Sequence, residues 1–230
     1  MKESPNNPPL YAGHRERLRS RFRETGIQGL QDYEALELLL TYALPRKDTK
    51  PIAKTLLNRF GSLRGVFDAA PQELMTIDGV GEAVAHYIKL IKGIFDSLLK
   101  EQIARRPVFH SPERVIEYLR FSMGGNKDEQ FRILLLDNQN RLIKEVLISE
   151  GTVDQAHVYP RRILETTLQY KASGLILVHN HPGGKAQPSK ADITLTEKIR
   201  EVSNTLNIRL LDHLIVTTDS YFSFNKEGLL

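Results

Sequence analysis

Apolar positions recur three and four apart through most of the first hundred residues. They predict helices over 13–24, 32–43, 49–59, 63–68, 71–75 and 81–99, separated by Gly, Pro or Asp. No stretch there alternates as a strand should. The pattern changes after Ala104-Arg105-Arg106-Pro107, which is the expected domain boundary. Ser111-Pro112 opens a helix through about Phe121, with Ser as cap and Pro in the first turn. Phe131 to Leu136 reads as a strand, Asp137-Asn138-Gln139-Asn140 as a turn, and 142–149 as the next strand. Pro160 opens a helix to about Tyr170, and Leu175 to Val178 is a short, fully apolar strand. Ser189 to about Thr205 is a helix, and 208–216 and 221–224 are strands. The expected order is a flexible tail over 1–12, an all-α domain over 13–106, and an α/β (α+β) domain over 107–230. In the last, a central mixed sheet is flanked by helices.

Composition narrows the chemistry. The 230 residues include no cysteine, which removes disulfides and thiolate metal sites and fits a reducing cytoplasm. No apolar run approaches the roughly 18 residues a membrane span needs, so no membrane partner is expected. The N-terminus, MKESPNNPPLYAGH, is polar and lacks the apolar core of a signal peptide. Residues 1–106 carry 17 Lys/Arg against 13 Asp/Glu, and the remainder 15 against 15. The basic excess therefore lies in the helical half, where it permits nucleic-acid binding without demanding it.

The most telling run is His179-Asn180-His181-Pro182, followed by Ser189 and Asp192. In extended backbone, residues i and i+2 share a face, so both imidazoles can reach one ion. Gly183-Gly184 turns the chain, and Asp192 falls in the first turn of the next helix, where its carboxylate can complete the set. Two His and one carboxylate suit one Zn²⁺ per chain, with water in the fourth position. Taken alone, Ser189-x-x-Asp192 is a helix-capping box, and a single His-x-His is usually not a ligand pair. The combination at this spacing is what points to a metal.

The stretch from His179 through Asp192 resembles the JAMM motif of the MPN (JAB1/MPN/Mov34) metalloenzymes, which include zinc-dependent isopeptidases. With Glu129-Gln130-Phe131, Leu135-Leu136-Asp137, Gly151-Thr152, Tyr159-Pro160-Arg161 and Leu211 through Val216, the chain is similar to the RadC (UPF0758) family over nearly its whole length. The resemblance implies an MPN-like fold in the second domain. It implies His179, His181 and Asp192 as zinc ligands and Glu129 as the carboxylate that holds and deprotonates the catalytic water. It further implies that Ser189 helps stabilise the oxyanion, in hydrolysis of a peptide or isopeptide bond of a protein or peptide substrate. Asn180 stands where many eukaryotic JAMM isopeptidases have Ser or Thr. Glu145 and Glu150 lie nearer in sequence to the histidines and compete with Glu129 as the base. Asp212-His213, inside an apolar strand, reads first as a satisfied core histidine and alternatively as a pair orienting a ligand imidazole.

In the helical half, Leu74-Met75-x-Ile77-Asp78-Gly79-Val80-Gly81-x-x-x-Ala85 resembles a helix-hairpin-helix. Its Gly79-Val80-Gly81 turn could present backbone N–H groups to a DNA phosphate. Glu82 works against that, while Lys89 and Lys92 follow one to two turns later. In Gly13 to Arg23, the arginines fall into two sets, Arg15, Arg19, Arg23 and Arg17, Arg21, flanking Leu18 and Phe22. The first set is the candidate phosphate-binding surface. The alternative to a metallohydrolase is thus a DNA-associated repair or recombination module, whose metal site is structural or serves a non-peptide substrate.

Overall fold

The structure is a computed structural model that describes residues 10–104, 107–108, 112–151 and 158–230. Most of the expected tail, the Ser111 cap and Arg105-Arg106 of the expected boundary lie outside the described residues. The chain forms two compact units that divide at Ile94/Phe95. That point lies inside helix α6 (Glu82–Ala104), earlier than the break the sequence suggests. The helix continues past residue 99 because Leu99 and Ile103 are apolar on the side that packs into the second unit's core.

The first unit is all helical. It comprises α1 (Leu10–Thr25), a 3₁₀ turn (Gly26–Gly29), α2 (Asp32–Ala43), α3 (Lys50–Phe60), α4 (Leu63–Asp68), α5 (Pro71–Leu74) and the first half of α6. Helix α1 begins at Leu10, inside the expected tail. Local chemistry sets the boundaries of the others. Glu34 accepts the Gln31 N–H at the start of α2, Gly61 ends α3 in the left-handed region, and the Ser62 hydroxyl accepts the Gly65 N–H to open α4. Leu36, Leu40, Leu56, Val66, Leu74, Val84 and Ile88 join in one buried core.

The second unit is a three-layer α/β arrangement. After α7 (Pro112–Met123) come β1 (Glu129–Leu136), β2 (Leu142–Gly151), α8 (Pro160–Gln169), β3 (Gly174–Asn180), α9 (Lys190–Thr205), β4 (Arg209–Val216) and β5 (Tyr221–Ser223). The sheet order is β2-β1-β3-β4-β5. Only β3 and β4 run parallel, joined by the α9 crossover, so the sheet is mixed. Central β3 is buried at every position, which is why its sequence reads as an unbroken apolar run. One face of the sheet packs on α7 and the end of α6 through Leu134, Leu136, Ile176, Val178, Val115 and Leu119. The other packs on α8 and α9 through Phe131, Ile133, Leu175, Leu177, Ile163 and Ile199. No helix among the described residues is long and apolar enough to cross a membrane.

Candidate metal centre

Strand β3 extends two residues beyond the expected Val178, so His179 and Asn180 lie within it rather than after it. They are held against β4, with His179 opposite Ile215 and Asn180 opposite Val216, and both are fully buried. This tertiary pairing outweighs the weak strand preference of His and Asn. His181 follows directly, at the carboxyl end of a parallel strand and ahead of the crossover helix, which is where α/β sheets tend to place their sites.

Ser189 caps α9. Its Oγ accepts the Asp192 N–H at 3.1 Å, and its N–H donates to Asp192 Oδ2 at 2.7 Å. The Ser189 hydroxyl also donates to Asp192 Oδ2, at 2.6 Å. The capping box and the candidate ligand are thus the same residue pair: Ser189 binds Oδ2, which also approaches His181, and Oδ1 faces His179. His179 Nε2 is 3.3 Å from Asp192 Oδ1, His181 Nε2 is 3.7 Å from Asp192 Oδ2, and the two Nε2 atoms are 2.9 Å apart. The ligand atoms of the three residues lie within 4.8 Å of one another, the one such His/Cys/Asp/Glu group among the described residues.

This donor set fits a small divalent ion. Nitrogen and oxygen ligands about 2.0–2.1 Å from a tetrahedral centre stand roughly 3.3 Å apart, and the observed separations bracket that figure. His181 Nδ1 donates to the Lys185 carbonyl at 2.9 Å, so its Nε2 presents a lone pair to the centre unless the ring is protonated. Burial opposes charge on Asp192, but the close approach of the His179 and His181 rings and of the Ser189 hydroxyl outweighs it and holds the carboxyl well below the usual carboxylate range. The neighbouring Asp192 carboxylate pushes His181 up despite its burial, with the Lys185 carbonyl and the Glu129 charge adding to it.

Glu129 begins β1. Phe131 is opposite His179 in the β1–β3 register, and one step further the Gln130 N–H donates to Asn180 Oδ1 at 2.8 Å. Glu129, two residues before Phe131, shares its face of β1, and its charge acts on His181. The two competing glutamates face the other way. Glu145 is opposite Leu134, on the α7 side, and is bound by Lys100, Tyr118 and Arg132. Glu150 is opposite Gln130 and accepts its side-chain amide. Asn180 reaches back to the approach to β1, its amide donating to the carbonyls of Asn126 at 3.3 Å and Asp128 at 3.1 Å.

Behind the ligands lies a fully buried His213, whose Nε2 is 2.9 Å from His179 Nδ1. Its Nδ1 is 2.6 Å from Thr196 Oγ1, and that hydroxyl donates to the Asp192 carbonyl, also at 2.6 Å. Burial, with the neighbouring imidazoles adding to it, pushes His213 well below the usual histidine value. His213 is thus a core histidine with both ring nitrogens partnered, and one of those partners is the candidate ligand His179. Asp212 does not join that group: its carboxylate turns to the other face and accepts from the Ser223 hydroxyl and the Asn225 N–H. Sequence analysis passed over Thr196. Its position one turn after Asp192, on the same helix face, was the available signal.

The candidate DNA contacts come apart. Arg15 is buried, and its guanidinium donates to the carbonyls of Leu44, Pro45 and Lys47, where it closes the end of α2. It therefore leaves the proposed phosphate surface. Arg23 is exposed and Arg19 half-buried, and both approach Glu16, Arg23 at 2.9 Å. Arg161, whose neighbour Arg162 is likewise exposed, pairs with Glu165 at an open helix start. In the hairpin, Val80 is a core residue whose N–H donates to Ile77, so it is not directed at a phosphate. Gly79 adopts φ +83°, as the tight turn requires, and Gly81 leads into α6. Lys89 donates to the carbonyls ending α4, and Lys92 is bound to Asp68.

The family comparisons agree with this architecture. Residues 12–86 match the family described as UPF0758 N-terminal, and residues 109–229 match the RadC-like JAB domain. A UPF0758 protein of Rhodobacter capsulatus is 43% identical over 213 residues, covering 93% of this chain and all of that protein. A UPF0758 protein of Fusobacterium nucleatum is 41% identical over 225 residues, covering 95% of this chain and 97% of the relative. With a helical N-terminal unit, a mixed five-stranded sheet flanked by helices, and similarity along nearly its full length, the chain belongs to the RadC (UPF0758) family, and its second unit is a RadC-like JAB domain.

Proposed function

We propose that this protein is a zinc-dependent hydrolase of JAMM type that cleaves a peptide or isopeptide bond. The observation that carries the reading is the convergence of His179 Nε2, His181 Nε2 and a carboxylate oxygen of Asp192 at the carboxyl end of β3. A zinc ion held there would supply Lewis-acid polarisation of a carbonyl and would lower the pKa of a water to about 7.

The chain's own residues supply the remaining steps. Glu129, on the Phe131 face of β1 and near enough for its charge to act on His181, accepts the proton of the attacking water and delivers it to the leaving amine. Ser189 fixes Asp192 in the resting site. Its single hydroxyl hydrogen then turns from Asp192 Oδ2 to the oxyanion that forms on the substrate carbonyl. Lys185 holds the His181 ring through its backbone carbonyl. The DNA-module reading draws less support, because Arg15, Lys89 and Lys92 are occupied within the first unit.

The test begins with the metal content of the purified chain beside a His179→Ala/His181→Ala double variant. About one zinc in the wild type and none in the folded variant is expected. Peptide and isopeptide substrates are then screened with Glu129→Gln as control. That variant should keep its zinc and lose about 10²–10⁴ in rate. Zinc absent from the wild type after supply would sink the reading.

A further inference from the structure

We propose that Thr196 and His213 are positioning residues, which fix the tautomer of His179 so that its Nε2 lone pair faces the site before any metal arrives. The functional consequence rests on the metal reading above; the tautomer itself does not.

The Thr196 hydroxyl has a single hydrogen, and the Asp192 carbonyl oxygen 2.6 Å away can only accept. That hydrogen is therefore committed, and Thr196 Oγ1 offers a lone pair to His213 Nδ1. His213 Nδ1 must carry a hydrogen. The ring of His213 is fully buried, lies against Phe131, Phe224 and His179, and has no carboxylate among its described hydrogen-bond partners. A charge there would be poorly solvated, so the imidazole is neutral and its Nε2 is an acceptor. His179 Nδ1, at 2.9 Å, must then be the donor, which leaves the His179 Nε2 lone pair pointing at His181 and Asp192.

His181 reaches the same state by a shorter route, through the Lys185 carbonyl. The result is two imidazole lone pairs facing each other at 2.9 Å, which cannot hydrogen-bond to one another. Only a cation or an added proton relieves that contact. The relay also closes on itself. It starts at the ligand His179, passes through His213 and Thr196, and ends on the backbone of the ligand Asp192. Two ligands from different elements are thereby held by one buried chain of hydrogen bonds, the type of support that tunes metal affinity.

Thr196→Val removes the acceptor while keeping nearly the same volume. The His213 hydrogen at Nδ1 would then be buried without a partner. The least costly repair moves it to Nε2, which makes His179 Nδ1 an acceptor and puts the His179 hydrogen on Nε2, facing the site.

The experiment uses the full chain, histidine-labelled with ¹⁵N and stripped with a chelator, at mildly alkaline pH. Long-range ¹H–¹⁵N correlation reads the tautomer of each ring. Zinc chloride competition against a chromophoric chelator reads affinity. The expected result is Nδ1–H on His179 in the wild type and Nε2–H in Thr196→Val. Zinc affinity should be 10- to 100-fold weaker in the variant and both properties restored in Thr196→Ser. A wild-type His179 carrying Nε2–H overturns the proposal without reference to any variant, as does a folded Thr196→Val with unchanged tautomer and affinity. Tautomers that behave as expected in a protein that takes up no zinc would support the relay and sink the metal reading.

Discussion

Phe131 lies flat against His179, their ring planes within 10° and their centroids 5.7 Å apart, at directly opposed positions of β1 and β3. The phenyl ring is buried and blocks the imidazole from rotating out of the plane that aims Nε2 at the site. Phe131→Ala should destabilise the second unit by about 3–5 kcal/mol through lost burial and a residual cavity. In any fraction that stays folded, zinc affinity should fall. Urea unfolding beside a zinc competition assay measures both. Unchanged affinity in folded Phe131→Leu would mean that the imidazole is held by its hydrogen bonds alone.

Asn180 joins β3 to the approach to β1. Its carbonyl oxygen accepts the Gln130 N–H, and its amide donates to the Asn126 and Asp128 carbonyls. Asn180→Ala removes the partner of three part-buried hydrogen bonds and should cost about 1–3 kcal/mol in urea unfolding. Because Glu129 follows this anchored stretch directly, hydrolysis should fall further than zinc content does. Asn180→Asp should be worse than Asn180→Ala, since it sets a carboxylate oxygen against two carbonyls. Equal stability of the two variants would show that the amide donations contribute nothing.

Glu145 gives a control on the opposite face of the sheet. Its carboxylate is buried against Arg132 at 2.8 Å, Lys100 at 2.5 Å and the Tyr118 hydroxyl. Burial would raise its pKa, but these partners outweigh that and lower it. A carboxylate depressed in the folded state adds stability that is fully present above its unfolded pKa, about 4.3, and is lost as pH falls through the folded value. Tyr118 is shifted upward, first by burial and then by the Glu145 charge, so it opposes unfolding until the pH approaches its unfolded value near 10. Glu145→Gln should cost about 3 kcal/mol at neutral pH. The gap from wild type should shrink below about pH 4, with zinc content untouched. Loss of zinc in that variant would mean that the two faces are not independent.

The hairpin glycines differ in what they require. Gly79 sits at φ +83°, and a Cβ there would meet Ile52 Cδ1 at 2.8 Å. Gly81 has open space around it. Gly79→Ala should destabilise the first unit by about 1–3 kcal/mol, and Gly81→Ala should stay within about 0.5 kcal/mol. Thermal unfolding of the two variants separates these effects. A matching loss at Gly81 would point to a ligand or a close partner at the turn.

The convergence of His179, His181 and Asp192 was legible because their positions are fixed by short-range rules: i and i+2 along extended backbone, then the first turn of a capped helix. The end of β3 was not, because His179 and Asn180 are poor strand formers, and only the neighbouring β1 and β4 show that they belong to the sheet. Arg15 was grouped with Arg19 and Arg23 by helical phase, but phase cannot reveal that the end of α2 lies close enough to take its guanidinium. Glu129, Glu145 and Glu150 were indistinguishable as letters. Strand register separates them, and register is a property of paired strands. Thr196 was one helical turn from a named ligand, yet threonines on helices are common, and its partner His213 comes seventeen residues later.

The joint use of Ser189 and Asp192 bears on how related chains should be read. The pair opens α9 through bonds that form with or without an ion, so a chain that had abandoned metal chemistry would still have reason to keep it. The two imidazoles have other contacts of their own, but none that sets their Nε2 atoms 2.9 Å apart. On the metal reading, the histidine pair is the part of the motif that would report on the metal in a relative, and a surviving Ser-x-x-Asp says only that the helix still begins there.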